Sequence, residues 1–381
     1  MKKIFIFFSF VITLSVFSQE VIENPEKALN AGAGRIVTLE KVMKITDTGC
    51  SYYFDSPRLP KVAPDGSIFV LDQEQLLRFD QSGKFLRNYF KKGQGPGELE
   101  YVSNYFLTNN NVIIHDAQRH KIVYLDYKGD LVKEFQIEQS GSFMTLEAYS
   151  DGLFYFKKHG IPLVKGEPRI VDVPKNIVIV SNDGKDMQEL KSFPTKSFVA
   201  ARGGSRGSIG INWLITALYN KKYLFISHTP DYLVKLFNLE NNNVLRVFKR
   251  NYKRVNTPDE IKKAEKGYVI LNDQKFTAPE QKHLNDICHL AVVVDRLWVL
   301  TSTLDKEKGW LVDVYDIQGR YLDNFYLKFP EPLPYQSIIT VGRYMHVAES
   351  GDFLFRLRSN EEGLMELVKY HIPKDHQLLP F

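Results

Sequence analysis

Several groups of residues in this chain have the types and spacing that chemistry uses. His283, Asp286, Cys288 and His289 are metal-ligand types in close succession. On a strand, neighbouring side chains point to opposite faces, so Cys288 and His289 do not readily share one ion. Gly203-Gly204-Ser205-Arg206-Gly207 has the spelling of a nucleophile elbow. That elbow needs a parallel sheet and a helix directly after it. Here a glycine-rich loop precedes a strand-like run, Ile211 to Ala217, and a catalytic Ser205 is not expected. Arg202 and Arg206 stand among those glycines as candidates for holding carboxylate or phosphate, with a solvated loop as the plain alternative. Gly93-x-Gly95-x-Gly97 lacks phosphate-loop spacing, Pro96 removes an amide donor, and a strand follows. A tight turn fits it better.

The elements that must position these residues form a repeat. Each copy is a strand, a turn, an apolar strand, a polar loop, a strand ending in Asp or Asn, a glycine turn and a last strand. The first copy holds Asp65-Gly66, Ile68 to Leu71, Leu76 to Asp80, Gly83 and Phe85 to Phe90. The second holds Asn104 to Thr108, Val112 to His115, Ile122 to Asp126, Gly129 and Leu131 to Ile137. Four further copies run from Asp151-Gly152 to His371, and the sixth lacks its last strand. Arg35 to Ile45 alternates apolar and polar residues and stands alone before the first copy. Its pairing into the last unit would supply the missing strand and remove two sheet edges.

Four-stranded units at this repeat length mean propeller blades. Lys92-Gly93-Gln94-Gly95-Pro96-Gly97-Glu98, followed by Val112 to Asp116, Ile122 to Asp126 and Gly129, resembles the six-bladed β-propeller proteins of Bacteroidetes, which are similar to NHL-repeat propellers. The resemblance covers nearly all of the chain after its first residues. It implies fold and export and brings no shared catalytic motif. The third to sixth copies depart from the pattern and carry longer loops. The expected fold is therefore all-β: a six-bladed β-propeller of four-stranded antiparallel blades, closed by the N-terminal strand, with a small helical insertion at about 251–286. In that insertion Thr257 is expected to cap a helix starting at Pro258, and a second short helix is expected from Pro279.

The expected boundaries are a secretory signal at 1–18, a loose lead-in at 19–33, the propeller at 34–373 and a tail at 374–381. Lys2 and Lys3 begin the signal, Ile4 to Phe17 is its apolar run, and no cysteine lies near the cut. The formal charge is 50 − 45 = +5, or +3 without Lys2 and Lys3, and it is scattered, which argues against nucleic acid. Cys50 and Cys288 are far apart, and two buried free thiols are the expected state.

In a propeller the b–c loops and d–a connections share one face. Every long insertion falls there: 93–98, 157–175, 194–210, 251–286, 303–309 and 330–337. Long loops on a rigid scaffold usually carry binding. The position just after strand b also recurs on this face, as Asp72, Asp116, Lys158, His228, Thr301 and Leu357 or Arg358. The ligand-binding candidates are Asp72, Gly93, Gly95, Gly97, Glu98, Asp116, Lys158, Arg202, Arg206, His228 and Thr301. The expected protein is an exported, monomeric, non-catalytic propeller that binds a peptide, a glycan or a partner protein, with no cofactor. The alternative is a hydrolase or lyase with a divalent metal in the central channel. Two aspartates and a histidine mixed with a lysine make a poor cation site.

Overall fold

The computed structural model describes residues 20–46, 54–138, 144–150, 152–160, 164, 166–264, 267–348 and 350–373. The expected signal segment, Cys50 and the C-terminal tail lie outside them. Three strands come first: β1 (Glu20–Asn24), β2 (Arg35–Thr38) and β3 (Glu40–Ile45). A first sheet follows, with β4 (Pro57–Val62), β5 (Ile68–Asp72), β6 (Gln75–Phe79) and β7 (Phe85–Asn88). The second sheet holds β8 (Val102–Leu107), β9 (Asn111–Asp116), β10 (Lys121–Asp126) and β11 (Leu131–Gln136). The third holds β12 (Met144–Ser150), β13 (Leu153–His159), β14 (Arg169–Val180), β15 (Met187–Arg202) and β16 (Ser205–Gly210). The fourth holds β17 (Ile215–Tyr219), β18 (Tyr223–Ser227), β19 (Val234–Asn238) and β20 (Asn243–Arg250). Helix α1 (Asp259–Ala264) and the hairpin β21 (Tyr268–Leu271)–β22 (Gln274–Thr277) come next. The fifth sheet holds β23 (Ile287–Val293), β24 (Arg296–Asp305), β25 (Gly309–Tyr315) and β26 (Tyr321–Lys328). Helices α2 (Tyr335–Ile339) and α3 (Val341–Tyr344) lead to the sixth, β27 (Met345–Val347), β28 (Phe353–Ser359) and β29 (Met365–His371).

Each sheet is an antiparallel meander, with short turns where the sequence places glycine. Gly129 is typical, at φ +85°, a backbone region that side chains with a Cβ rarely enter. The middle strands are buried on both faces, as in Ile68–Asp72, whereas the outer strand Leu131–Gln136 is largely exposed. The reason is face-to-face packing of consecutive sheets. Phe69, Leu71 and Tyr89 of the first sheet share one core with Tyr105, Ile114 and Val123 of the second. Similar cores join the second to the third, the third to the fourth, the fourth to the fifth and the fifth to the sixth. The sixth core sets Phe355, Leu357 and Leu367 against Ile68, Val70 and Phe79 of the first sheet.

The N-terminal strands differ from expectation. Residues 20–24, read as part of a loose lead-in, pair in parallel with β20 as the outermost strand of the fourth sheet. Arg35 to Ile45 is two strands, not one. β2 pairs in parallel with β26 on the edge of the fifth sheet, and β3 pairs antiparallel with β29 in the sixth. Leu39 marks the passage between sheets; it is buried, and its amide donates to the Lys328 carbonyl at 2.8 Å. The alternation of side chains is continuous through both strands, so it carries no sign of the change of partner.

The insertions also differ. Residues 194–210, read as a glycine-rich loop, extend β15 to 16 residues and return as β16. The helix after Pro258 forms, and the Thr257 hydroxyl donates to the Gln281 carbonyl at 2.6 Å. No helix starts at Pro279; β21–β22 occupies part of this segment. Helices α2 and α3, outside the expected insertion, have weak sequence signals: five and four residues, with no side-chain cap.

Candidate functional site

Two places gather functional groups. One is the line along which the first strands of several neighbouring sheets meet, called the axis below. β4 touches β8 and β27, β8 touches β12, and β17 touches β23. Each of these strands turns a partly exposed polar side chain inward: Lys61, Asn104, Glu147, Thr216, His289 and His346. Tyr105, Leu146, Leu290 and Met345, next to them in the same strands, are buried in the inter-sheet cores, so the alternation of the strand turns the polar side chains away from those cores.

These side chains are linked. The Lys61 ammonium nitrogen donates to Asn104 Oδ1 at 3.2 Å and to the Tyr105 carbonyl, and lies 4.1 Å from the Phe106 ring centre. The Asn104 amide donates to the Leu146 carbonyl. Glu147 Oε1 holds Lys157 Nζ at 2.8 Å, and its Oε2 accepts from the Thr216 hydroxyl at 2.9 Å. Burial pulls the Lys61 amine down to about 7, although the Glu147 charge opposes this. Burial also pulls His346 and His289 to about 4, and Lys61 and His289 press His346 further in the same direction. Both imidazoles are thus neutral at physiological pH. The set is one carboxylate, already paired, among amines and neutral rings.

Lys61 makes stability depend on pH with a definite sign. Its pKa is about 7 when folded and about 10.4 when unfolded. Between those values the unfolded chain binds a proton that the folded chain does not, so stability rises as pH rises from about 7 to about 10. The penalty is fully present below pH 7. Lys61→Met should flatten the curve across this window by a few kcal/mol. Denaturant titrations at pH 7 and pH 9.5 check it; parallel changes in wild type and variant would show that the amine is not desolvated.

The second place is a projecting pair of hairpins. The tip of β15–β16 packs on β21–β22 around Ala200, Ile209, Val269, Leu271 and Phe276. The packing is close: a Cβ on Gly207 would lie 2.1 Å from Val269 Cγ1. Arg202 and Arg206 lie at the tip, exposed and without an ion pair among the described residues. Tyr268 and Ile270 are 50% and 59% exposed beside them, and Trp213 is 61% exposed at the base. Lys275 Nζ lies 4.0 Å from the Tyr268 ring centre.

A family model described as a 6-bladed beta-propeller matches residues 61–222. Among solved structures, a member of the duf4221 family from Bacteroides vulgatus is 9% identical over 89% of this chain and 99% of its own, with a TM-score of 0.54. The chain is a β-propeller. A candidate exported protein from Bacteroides fragilis is also similar, at 15% identity over 93% of this chain and 100% of its own, with a TM-score of 0.49. The resemblance to six-bladed propeller proteins therefore holds at the level of fold. No curated protein matches the chain.

The residues singled out in the sequence are dispersed over this propeller. Asp72 accepts from the amides of Asp55 and Ser56, at 3.2 and 2.8 Å. Asp116 accepts from Glu100, Tyr101, Gln118 and Arg119 amides. Thr301 is fully buried and donates to the Leu311 carbonyl. In the Gly93 to Glu98 turn, Glu98 accepts from the Gly95 amide, which holds its carboxyl below the usual range, and Gly97 donates to Glu134 of the second sheet. These groups serve the backbone. Lys158 is half-buried on β13. His228 is buried, with Nδ1 2.9 Å from the Pro194 carbonyl and Nε2 lacking a partner. Ser205 pairs with Arg202 in the hairpin turn, with no helix behind it.

His283, Asp286, Cys288 and His289 diverge. Asp286 accepts from the Tyr232 amide and Arg254, His289 turns to the axis, and burial pushes the Cys288 thiol up to about 12. Among the described residues no three His, Cys, Asp or Glu side chains are placed to bind one ion, and Cys288 is a free thiol. The axial set is not among the residues singled out in the sequence, which lie at the ends of the second strands. The signal was a polar residue within the first strand of every repeat.

Proposed function

We propose that the six sheets are the blades of one ring, closed where β3 completes the last sheet. On this reading the protein is exported through the signal at 1–18 and binds an acidic peptide, glycan or partner protein. The observation that carries it is the hairpin pair: a rigid projection with its own small core, presenting two unpaired guanidiniums beside exposed aromatic and aliphatic side chains. The first hairpin extends the fourth strand of the third sheet, and the second lies between β20 of the fourth sheet and β23 of the fifth, both in segments expected on the binding face. Among the described residues, no helix is long and apolar enough to cross a membrane. A metal-dependent hydrolase or lyase is the weaker reading, because the one axial carboxylate, Glu147, is held by Lys157 and Thr216.

Arg202→Glu with Arg206→Glu should weaken an acidic ligand by about 1.5–3 kcal/mol per lost charge-assisted contact. Melting should be unchanged, since exposed charges contribute little to folding. The experiment screens glycans and cell-envelope extracts and footprints any hit. Protection confined to the short turns around Gly66, Gly83, Gly129 and Gly319 would overturn the assignment of the face.

A further inference from the structure

We propose that one face of β16 is a binding strip for an acidic polysaccharide, a chain of pyranose rings bearing carboxylates, with Trp213 stacked on one ring and Arg206 holding a carboxylate. The proposal names the ligand class for the hairpin pair, and so rests on the reading of that pair as the binding element. Side chains alternate along β16, and Arg206, Ser208 and Gly210 therefore share a face. A Cβ on Gly210 would lie 3.1 Å from Cη2 and Cζ3 of Trp213, so the indole lies on this face, where a side chain at 210 would otherwise stand. Ser208 and Arg206 are exposed beyond it, and Arg206 makes no ion pair among the described residues. The opposite face, with Gly207 and Ile209, is closed by Val269 of the second hairpin.

The chain has three tryptophans, and two are core residues. Trp298 meets Phe325 edge-on at 5.0 Å, and the Trp310 indole donates to the Thr301 carbonyl. Trp213 is 61% exposed, although the residues on either side of it are buried. Asn212 accepts from the Lys196 amide at 2.7 Å and donates to the His228 carbonyl. The Ile211 carbonyl accepts from Asn285 at 3.1 Å, and Leu214 sits in the core between the third and fourth sheets. The backbone beneath the ring is thus fixed while most of the ring meets solvent. A large aromatic side chain held in this way loses little conformational freedom when a ligand covers it.

The negative face of an indole attracts the weakly positive C–H groups that line one side of a pyranose ring. A strand rises about 3.3 Å per residue, so Arg206 stands about 13 Å from Gly210, with the Ser208 hydroxyl between them. A guanidinium at that distance meets a carboxylate further along the same sugar chain, in the bidentate geometry that arginine favours. Ala201, opposite Arg206 in β15, is too small to cover it. An aromatic plate, a hydroxyl and a cation in line match a repeating polyanion built of rings. An acidic peptide satisfies the cation, but its carboxylate side chains bring no ring to the indole.

The test measures binding of hexagalacturonate, hexamannuronate, the methyl ester of hexagalacturonate and hexaglutamate to the full chain, by tryptophan fluorescence and calorimetry. Only Trp213 is open to acrylamide, since Trp298 and Trp310 are 3% and 0% exposed. A uronate oligomer should therefore protect the emission from quenching and shift it to the blue. The ester should bind more weakly than the acid by about 10-fold or more. Trp213→Ala should weaken acid and ester alike by about 10-fold, whereas Arg206→Gln should weaken the acid and leave the ester as it was. Should Trp213→Ala not fold, Gly210→Val keeps the indole but pushes it off the strand, and should weaken both sugars. Uronate binding undiminished when the indole is removed or displaced, hexaglutamate binding tighter than either uronate, or no binding of either uronate at millimolar concentration would overturn the proposal. Hexaglutamate binding that is lost in Arg202→Glu, Arg206→Glu and kept in Trp213→Ala would overturn the glycan alone and leave the hairpin pair as the binding element.

Discussion

Removal of residues 20–45 should leave a chain that aggregates and shows no cooperative melt. The arm contributes Val37, Leu39 and Ile45, each at most 3% exposed, to the cores at the fifth and sixth sheets. Burying three such side chains stabilises by about 5–9 kcal/mol. That is comparable to the whole stability of a typical domain, about 5–15 kcal/mol. Arg35 leaves as well, and its contact with the buried Asp323, at 2.9 Å, would be replaced by a buried carboxylate facing an open edge. The backbone of β29 would lose its ladder partner and expose a template for association. A shorter deletion, residues 20–34, removes only β1 and should give a soluble protein with a lowered melting temperature. Size-exclusion chromatography and calorimetry of both deletions decide the matter. A soluble, cooperatively melting product of the longer deletion would show that β3 is dispensable.

Arg250→Met should cost about 3–5 kcal/mol, because it strands a buried carboxylate. Asp313 is fully buried and accepts from Arg250 Nε and Nη2 at 2.8 Å, from the Tyr232 hydroxyl at 2.7 Å and from the Tyr321 hydroxyl at 2.9 Å. Tyr315 donates on to Tyr232 at 3.0 Å, and the guanidinium lies about 5 Å from the rings of Tyr232, Tyr252 and Tyr321. This network ties β20 to β25 and β26 of the next sheet. In the variant, Asp313 should bind a proton more readily than in the unfolded chain, so the loss should shrink as pH falls and grow as it rises. The double variant Arg250→Met, Asp313→Leu should recover part of the loss but not all, because Tyr232 and Tyr321 lose their acceptor. Equal losses in the single and double variants would mean that the cost lies in packing and not in the stranded charge.

The fold and the axial side chains were legible to different degrees in the sequence. Strand and turn placement followed from alternation and from glycines such as Gly129, whose left-handed backbone the sequence pattern anticipates. Core strands such as Ile68 to Leu71 announced themselves by unbroken apolar character. Partner choice did not. β2 and β3 read as one strand because side-chain alternation does not record which edge a strand joins. The β15–β16 hairpin read as a loop because Gly203, Gly204, Gly207 and Gly210 lower strand propensity, whereas its packing on Val269 and Leu271 comes from a segment far along the chain. Lys61 in Pro57–Val62 looked like any solvent-facing strand residue. A polar residue has the same spacing whether its face meets bulk water or the first strand of a neighbouring sheet, and only the contacts between those strands distinguish the two.

The arm also orders events in time. Residues 20–45 are synthesised well before their strand partners, which lie at 246–250, 325–328 and 367–371. Asn24 reaches Gly319 across 295 positions, and Arg35 reaches Asp323 across 288. These are contacts of very high sequence separation, the kind that makes folding slow. β3 has no sheet to join until β29 has emerged from the ribosome. β1 can pair once β20 has been made and β2 once β26 has, whereas β3 waits longest, for β29.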